Sequence, residues 1–391
     1  MRAVRCVRCV RVHDAPDVWS APAFQVHRAR VPSPTGTREE PLDVAVKLQY
    51  PNLREQVAAD FEVLAMMQAM VSDNKFDFSW LLADLQKYVT SELDFRTEAA
   101  NTRAAADALR NLAPGVVVPA LVPQLCSGRT LATHFIDGLT RLDRPAELAA
   151  RDLDPAHLGP LVSTAFAELA LQHGLVHGDP HSGNVYACRR GGRSQVVLLD
   201  HGLYHRLADE DRLTMCALIL DCATPWPSRA RVRRSSARFA GKLAPLFPTL
   251  LSPAFALATG LGHTQLRAAA EGRLPAGTSL EDVWQTLVAM HDGESDVLGL
   301  LHSMGYVRGL QNALHTPEEV RVRALAASAV CATFAADRCM LLHGARLRLA
   351  LWRAALRVRL LFLLLRIVGI LLRLADGCRS AIGTARVSPD P

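Results

Sequence analysis

The stretch VHGDPHSGNVYACRRGGRSQVVLLDHG, residues 176–202, decides how the rest of the chain is read. Val185 to Ala187 and Gln195 to Leu199 have the apolar, β-branched character of strands, and Gly191-Gly192 supplies a turn between them. The hairpin so formed brings Asn184 and Asp200 side by side. A hard divalent cation such as magnesium takes oxygen ligands, one or two from protein and the rest from water and phosphate. An amide oxygen and a carboxylate meet that need. Asp179, five residues before Asn184, adds a second carboxylate close by, placed to accept a proton from a hydroxyl or to orient it.

Asp, four residues, Asn, a hairpin, then Asp-x-Gly is also the spelling of the catalytic and metal loops of the protein-kinase fold. Here His177-Gly178-Asp179 stands for His-Arg-Asp and Asp200-His201-Gly202 for Asp-Phe-Gly. Two other readings stay open on these residues alone. One is a polar loop that matches by chance. The other takes Gly178-Asp179-Pro180-His181 as a metallophosphatase strand end, which needs further His and Asp ligands from other strands; the chain offers no comparable second cluster.

A kinase-type site needs an upstream strand lysine for the phosphates and a helix glutamate to hold it. Asp43-Val44-Ala45-Val46-Lys47-Leu48 alternates as a strand does. Lys47 is the first of only four lysines among 44 basic residues, in a chain that uses Arg almost everywhere else. A compact ammonium suits phosphate oxygens. Downstream, Glu92-Leu93-Asp94-Phe95-Arg96-Thr97-Glu98 falls in a helical pattern running from about Ser79 to Leu112, and Glu98 is the candidate partner of Lys47. By composition alone, Glu92, Asp94 and Glu98 are ordinary solvated helix charges.

VAVK, ELDFRTE, HGDPHSGN and LLDHG, in this order and spacing, resemble the UbiB-like, aarF-domain-containing atypical kinases over roughly residues 20 to 310. The resemblance implies a two-lobed, protein-kinase-like α+β fold, with a small mixed lobe and a larger helical one. It implies ATP and Mg²⁺ as cofactors. Glu92 and Asp94 would form an additional acidic motif near the nucleotide, and Glu98 would pair with Lys47. It also implies an Ala-rich phosphate loop ending in Gln-Val-His. Ser20 to Ala29 carries that ending at Gln25-Val26-His27, with Ala21 and Ala23 as its phosphate-facing positions, but Pro22 departs from the pattern and withholds one backbone N–H. The family's helical extension with a Lys-x-Gly-Gln motif is not spelled before Lys47, so an alternative start is one reading of residues 1–19. Support of coenzyme Q or isoprenoid-lipid metabolism at mitochondrial membranes is what the family implies about role.

Composition narrows the alternatives. At 391 residues, half of them hydrophobic and 21% charged, the chain is globular rather than disordered. A net charge of +6 invites nucleic acid or an anionic membrane as partner, but aromatics are 6% and no basic-aromatic platform is present, which argues against nucleic acid. Nine scattered cysteines in so long a chain fit a reducing compartment better than a disulfide framework, and Cys6-x-x-Cys9 lacks partner ligands for zinc.

Taken in order, residues 1–19 are an Arg-rich leader or alternative start, weakly like a transit peptide. Residues 20–138 form the small lobe. Its helix from Asn52 to Met70 carries Val57, Phe61, Leu64, Met67 and Met70 on one stripe, read as core. Val116 to Val118, Leu121 to Leu125 and Thr130 to Phe135 read as strands, and Ile136-Asp137-Gly138 as the hinge, so that Thr133 to Ile136, Phe135 and Ile136 included, meet the purine through backbone groups. Residues 139–335 form the helical lobe, with a helix opened by Asp154-Pro155 and ending near Gly174, and with His302 to Tyr306 breaking two helical stretches. The helix from Ala208 follows Gly202 so closely that a peptide-docking activation segment has little room, and Gly178 replaces the arginine that reads a phosphorylated one. Residues 336–376 are an apolar, Arg-striped helix: too interrupted by Arg366 to span a bilayer, it suits a membrane interface, a partner, or the domain's own surface. Residues 377–391 read as a disordered tail.

These readings converge on an ATP-dependent phosphotransferase or ATPase. Lys47 and Asp179 carry the chemistry, and Asn184 and Asp200 hold the metal. The competing reading is a catalytically inactive pseudokinase that binds partners or membrane.

Overall fold

The computed structural model describes residues 11–12, 19–20, 24–32, 41–71, 82–83, 85–86, 89–90, 93–261, 279–291, 296–336 and 343–384. The fold is mixed α+β of the two-lobed, kinase-like class, and its contacts divide it into two compact units. The first is Met1–Leu161 with His177–Tyr204; the second is Val162–Val176 with His205–Pro391.

In the first unit, β1 (Arg11–Val12), β2 (Trp19–Ser20), β3 (Phe24–Val31) and β4 (Leu42–Gln49) begin an antiparallel sheet. Its register sets Lys47 opposite Val26 on β3. Because side chains alternate along a strand, Val44 goes to one face, where it is buried with Ala29, Val31 and Ala132, and Lys47 goes to the other. Residues 11–12 and 19, assigned from sequence to the leader, thus pair with β3, as does Ser20 of the small lobe.

The helix α1 (Leu53–Val71) matches its expected bounds, but its stripe is not core. Phe61 is buried, whereas Leu64 and Met67 are 41% and 58% exposed. In the first half of α1, Val57 shares a small cavity with Phe24, Leu93 and Phe95.

The helix expected from Ser79 to Leu112 is divided. Leu93-Asp94 interrupts it, and α2 (Phe95–Ala108) starts afresh with Asp94 as N-cap. The interruption follows from capping chemistry, since the Asp94 carboxylate accepts from the Arg96 N–H at 3.0 Å. Phe95 and Ala99 then pack with Leu131 on the Lys47 face of the sheet.

The three strands expected after α2 are only partly realised. β5 (Val116–Val117) forms, but in a second sheet. Pro123 opens a short 3₁₀ turn to Leu125 where a strand was expected, its ring fixing φ and removing the donor a ladder would need. β6 (Thr130–His134) completes the first sheet beside β4. The second sheet runs β5, β9 (Arg193–Leu198), β8 (Val185–Arg190), β7 (Thr140–Arg141), with β5 parallel to β9 and the rest antiparallel. The hairpin that sequence placed with the helical lobe therefore clusters with the sheet unit, because Val116 and Val117 pair with Val196 and Val197. The helices α3 (Pro145–Ala150) and α4 (Pro155–Ala167) follow β7, and Asp154 caps α4 through the Ala156 N–H.

The second unit is helical. α4 is continued by a π-helical turn, Glu168–Gln172, and stops at Gly174, whose φ is +65° and whose missing Cβ would sit 3.0 Å from the Leu207 carbonyl. The longer helices that follow are α5 (Asp209–Cys222), α6 (Arg229–Ala240), α7 (Leu280–His291), α8 (Val297–Ala313), α9 (Glu318–Ala336) and α10 (His343–Thr384), with short helical turns at Phe247–Leu251 and Ala256–Thr259 between α6 and α7. They share a core that includes Met215, Phe247, Phe255, Leu300, Val322 and Val358. The break expected at His302 to Tyr306 does not occur. α8 runs through it, because Leu300, Ser303, Val307 and Leu310 are buried at helical spacing, which outweighs the cost of Gly305. α10 also exceeds its expected bounds, passing Gly377 to reach Thr384. Among the described residues no helix is long and apolar enough to cross a membrane.

Candidate active site

The site lies within the first unit. Lys47, carried on β4, extends between the aromatic rings of Phe24 (4.0 Å from the ring centre) and Phe95 (5.2 Å). Its Nζ donates to both Glu98 carboxylate oxygens, at 2.9 and 3.1 Å, and lies 3.5 Å from Asp200 Oδ1. Glu98 is one turn into α2, so the Asp94 cap that starts the helix also sets the height at which Glu98 meets the sheet. Burial works against the charge on Lys47, but the carboxylates of Glu98 and Asp200 outweigh it and raise the ammonium's pKa. Burial lifts Glu98 to about 7 in spite of Lys47. For Asp200 burial is again the adverse factor, overcome by Lys47 and the Gly202 N–H, and the carboxyl is held below its usual range.

Asn184 and Asp200 are brought together by the β8–β9 register. Val185 faces Leu198, and the Leu199 N–H donates to the Asn184 carbonyl at 2.8 Å. Asn184 Nδ2 donates to the Asp179 carbonyl at 3.0 Å, which turns its amide oxygen into the atom left for a cation. Asp200 has φ of +52°, in the left-handed region that non-glycine residues seldom occupy. This backbone aims its carboxylate at Lys47. The pair supplies two hard oxygen donors, the set magnesium takes when phosphate and water complete its shell. No group of three or more His, Cys, Asp or Glu among the described residues is arranged to hold a metal ion by itself, so the donors suit a phosphate-shared cation rather than an all-protein cage.

A cavity of about 650 Å³ opens beside these groups, within the range of small-molecule sites. Lys47, Glu98, Phe135, Ile136, Asn184 and Asp200 all line it. The hinge amides are partly spent: His134 N–H donates to Ala120 and Phe135 N–H to Asp43, so of these positions Ile136 is the one whose amide is left for a ligand edge. Asp179 and Asp94 do not line the cavity. Asp179 is half-exposed, its N–H donating to His177 Nδ1 and its carboxylate 3.4 Å from His181 Nε2. Ala21, Ala23 and Glu92 lie outside the described residues.

Three features had no sequence signal. First, Arg141 and Asp143 form an ion pair at 2.6 Å and both bond the Ser182 hydroxyl, at 2.8 and 2.7 Å, which ties the loop after Asp179 to β7. The Arg141 guanidinium, against burial and with help from the Ser182 hydroxyl, holds Asp143 down to about 2. Second, a Cβ on Gly183 would run into the His181 ring, so that turn admits only glycine without moving the histidine. Third, His177, His201 and Tyr204 form a buried ring cluster with centres 5.0 to 5.8 Å apart. His201 Nδ1 meets the Tyr204 hydroxyl at 3.0 Å and Nε2 meets the Leu198 carbonyl at 3.2 Å. Both nitrogens are engaged inside the protein, so His201 replaces the usual phenylalanine as a packing ring and not as a metal ligand. Burial lowers His201 to about 4 and His177 to about 3, keeping both neutral.

A strand lysine clasped by a helix glutamate, beside an Asn and Asp joined across a hairpin, defines a kinase-like site. The chain belongs to the ABC1 atypical kinase-like family, whose domain matches residues 17–229. AarF domain-containing protein kinase 1 of Gallus gallus is 30% identical over 316 residues, covering 78% of this chain and 58% of that protein. Its Mus musculus counterpart is 31% identical, covering 61% and 44%. Probable serine/threonine-protein kinase abkB of Dictyostelium discoideum is 33% identical, covering 51% and 30%. The chain thus spans about half the length, or less, of these relatives. Among solved structures, the complex of Rv3197 with erythromycin from Mycobacterium tuberculosis has a TM-score of 0.46 at 19% identity, covering 81% of this chain and 78% of that one.

Proposed function

We propose that the first unit binds Mg-ATP and uses it for ATP hydrolysis or phosphotransfer to a small molecule or lipid-linked acceptor, in support of coenzyme Q or isoprenoid-lipid metabolism at a mitochondrial membrane. The observation that carries the nucleotide reading is the position of Lys47, held by Glu98 and Asp200 at the wall of a cavity of nucleotide size. Lys47 binds phosphate oxygens and Glu98 keeps it aimed. Asn184 and Asp200 hold magnesium, which when bound neutralises phosphate charge. Asp179 accepts or orients the proton of the attacking hydroxyl, its half-exposed carboxylate being open to an acceptor. The kinase names of the relatives support phosphotransfer at this coarse level. The lipid role and the membrane address rest on the family resemblance alone.

Thermal unfolding with ADP or ATP, with and without magnesium, tests the proposal. At a hundred times its dissociation constant a nucleotide stabilises by about 2.7 kcal/mol. A magnesium-dependent rise lost in Asp200→Asn, together with ATP turnover abolished by Asp179→Asn, is the expected result. Nucleotide binding without turnover in the unaltered chain would instead assign it to the pseudokinase reading.

A further inference from the structure

The helix α10 uses one face to join its own domain. Ala354, Val358 and Leu361 are buried there, the first two in the core of the second unit. At 100° per residue the opposite face is formed by Leu349, Trp352, Leu356, Leu363, Ile367 and Ile370. All six are exposed, Trp352 to 61% and Leu363 to 55%. They form an unbroken apolar stripe roughly 30 Å long, from 1.5 Å of rise per residue. Residues 343–370 contain six arginines and no acidic residue. Arg346, Arg353 and Arg357 line one flank of the stripe, beside a groove floored by Ala326 and Val330 of α9. Arg348, Arg359 and Arg366 line the other by the same helical angle. Among the described residues only Arg366 of the six meets a carboxylate, Glu319 at 3.7 Å.

We infer that this face docks on an anionic phospholipid surface, the helix lying in the plane of the interface with its apolar stripe among the acyl chains. The charge pattern selects that occupant. Guanidinium rows on both flanks reach phosphate headgroups while their methylene stems stay with the apolar stripe, and an exposed tryptophan suits headgroup depth. A second copy of the helix would set arginine rows against arginine rows. The inference is independent of the nucleotide site, since every residue it uses is in the second unit.

The test is co-sedimentation of the full chain with phosphatidylcholine vesicles, either pure or containing one-third phosphatidylserine. Binding is expected with the anionic vesicles only, and it weakens as salt rises. Neutralising Arg353, Arg357 and Arg359 to Gln together lowers the partition coefficient about fivefold per arginine, roughly a hundredfold in all. Leu356→Ser with Leu363→Ser, which keeps the charge, also lowers it. These positions are exposed, so unchanged circular dichroism and melting certify the fold of each variant. The inference is overturned if the folded chain leaves anionic vesicles unbound, or if the triple variant binds undiminished. A concentration-dependent dimer dissolved by Leu363→Ser would likewise overturn it and give the face to a second copy.

Discussion

Replacing His201 by phenylalanine, the residue its motif ordinarily carries, should make the first unit less sensitive to acid. Unfolded, each imidazole takes up a proton near pH 6.5, whereas in the fold burial holds His201 to about 4 and His177 to about 3. Between those values the unfolded chain binds more protons, so the stability that the neutral rings contribute above pH 6.5 is lost as pH falls. Integrated from pH 7 to pH 5, each histidine costs about 2 kcal/mol, so the pair costs about 4 kcal/mol. Glu98 acts in the opposite sense over the same range, because its carboxyl is raised to about 7 and gains stability on protonation. It is present in both proteins and cancels in the comparison. The assay is urea unfolding in magnesium-free buffer at pH 7 and pH 5, with amide exchange of β8 and β9 as the local readout. The expected loss between the two pH values is smaller by about 2 kcal/mol in His201→Phe. Equal losses in the two proteins would refute the claim that His201 is a buried neutral ring.

Asp94→Ala should cost about 1 kcal/mol through the lost helix cap and leave nucleotide affinity unchanged; a marked fall in affinity at unchanged stability would return Asp94 to the acidic motif that the family resemblance implies. Gly183→Ala forces the His181 ring aside, so ATP turnover should fall while the melting temperature moves little; unaltered turnover refutes the fit. Lys47→Met should abolish the nucleotide-dependent rise in melting temperature, and a retained rise would place the phosphates elsewhere. Ser182→Ala removes one anchor of the catalytic loop and should raise KM more than it alters global stability, read by steady-state kinetics beside urea titration.

What was legible in the sequence was local. Lys47 declared itself by rarity and strand alternation, and the hairpin by its glycine pair, and both fall where expected. Glu98 became a candidate only through the family resemblance, because a helix glutamate has no local mark of its partner across the sheet. Asp94 is the instructive miss. The capping rule that correctly read Asp154 applies to it equally, yet an apparent 34-residue periodicity concealed the restart. The Arg141–Asp143–Ser182 link joins residues about forty positions apart and leaves no periodic trace. At Gly305 and in α1, local pattern and tertiary packing disagreed: burial of Leu300 and Val307 overrode a helix breaker, while Leu64 and Met67 of a core-like stripe stay exposed.

The unit that holds the site is discontinuous in the chain, interrupted by Val162–Val176. Lys47 and Glu98 are thus supplied long before Asn184 and Asp200, and β5 must wait some eighty residues for β9. During synthesis the first sheet can close as soon as β6 has emerged, but the nascent chain cannot assemble the candidate site until Tyr204 has left the ribosome, after a piece of the next unit has already done so. A fragment cut at Leu161 would therefore carry the lysine clasp without Asn184 and Asp200, the pair of the proposed cation site, so any minimal version of that site has to run through Tyr204.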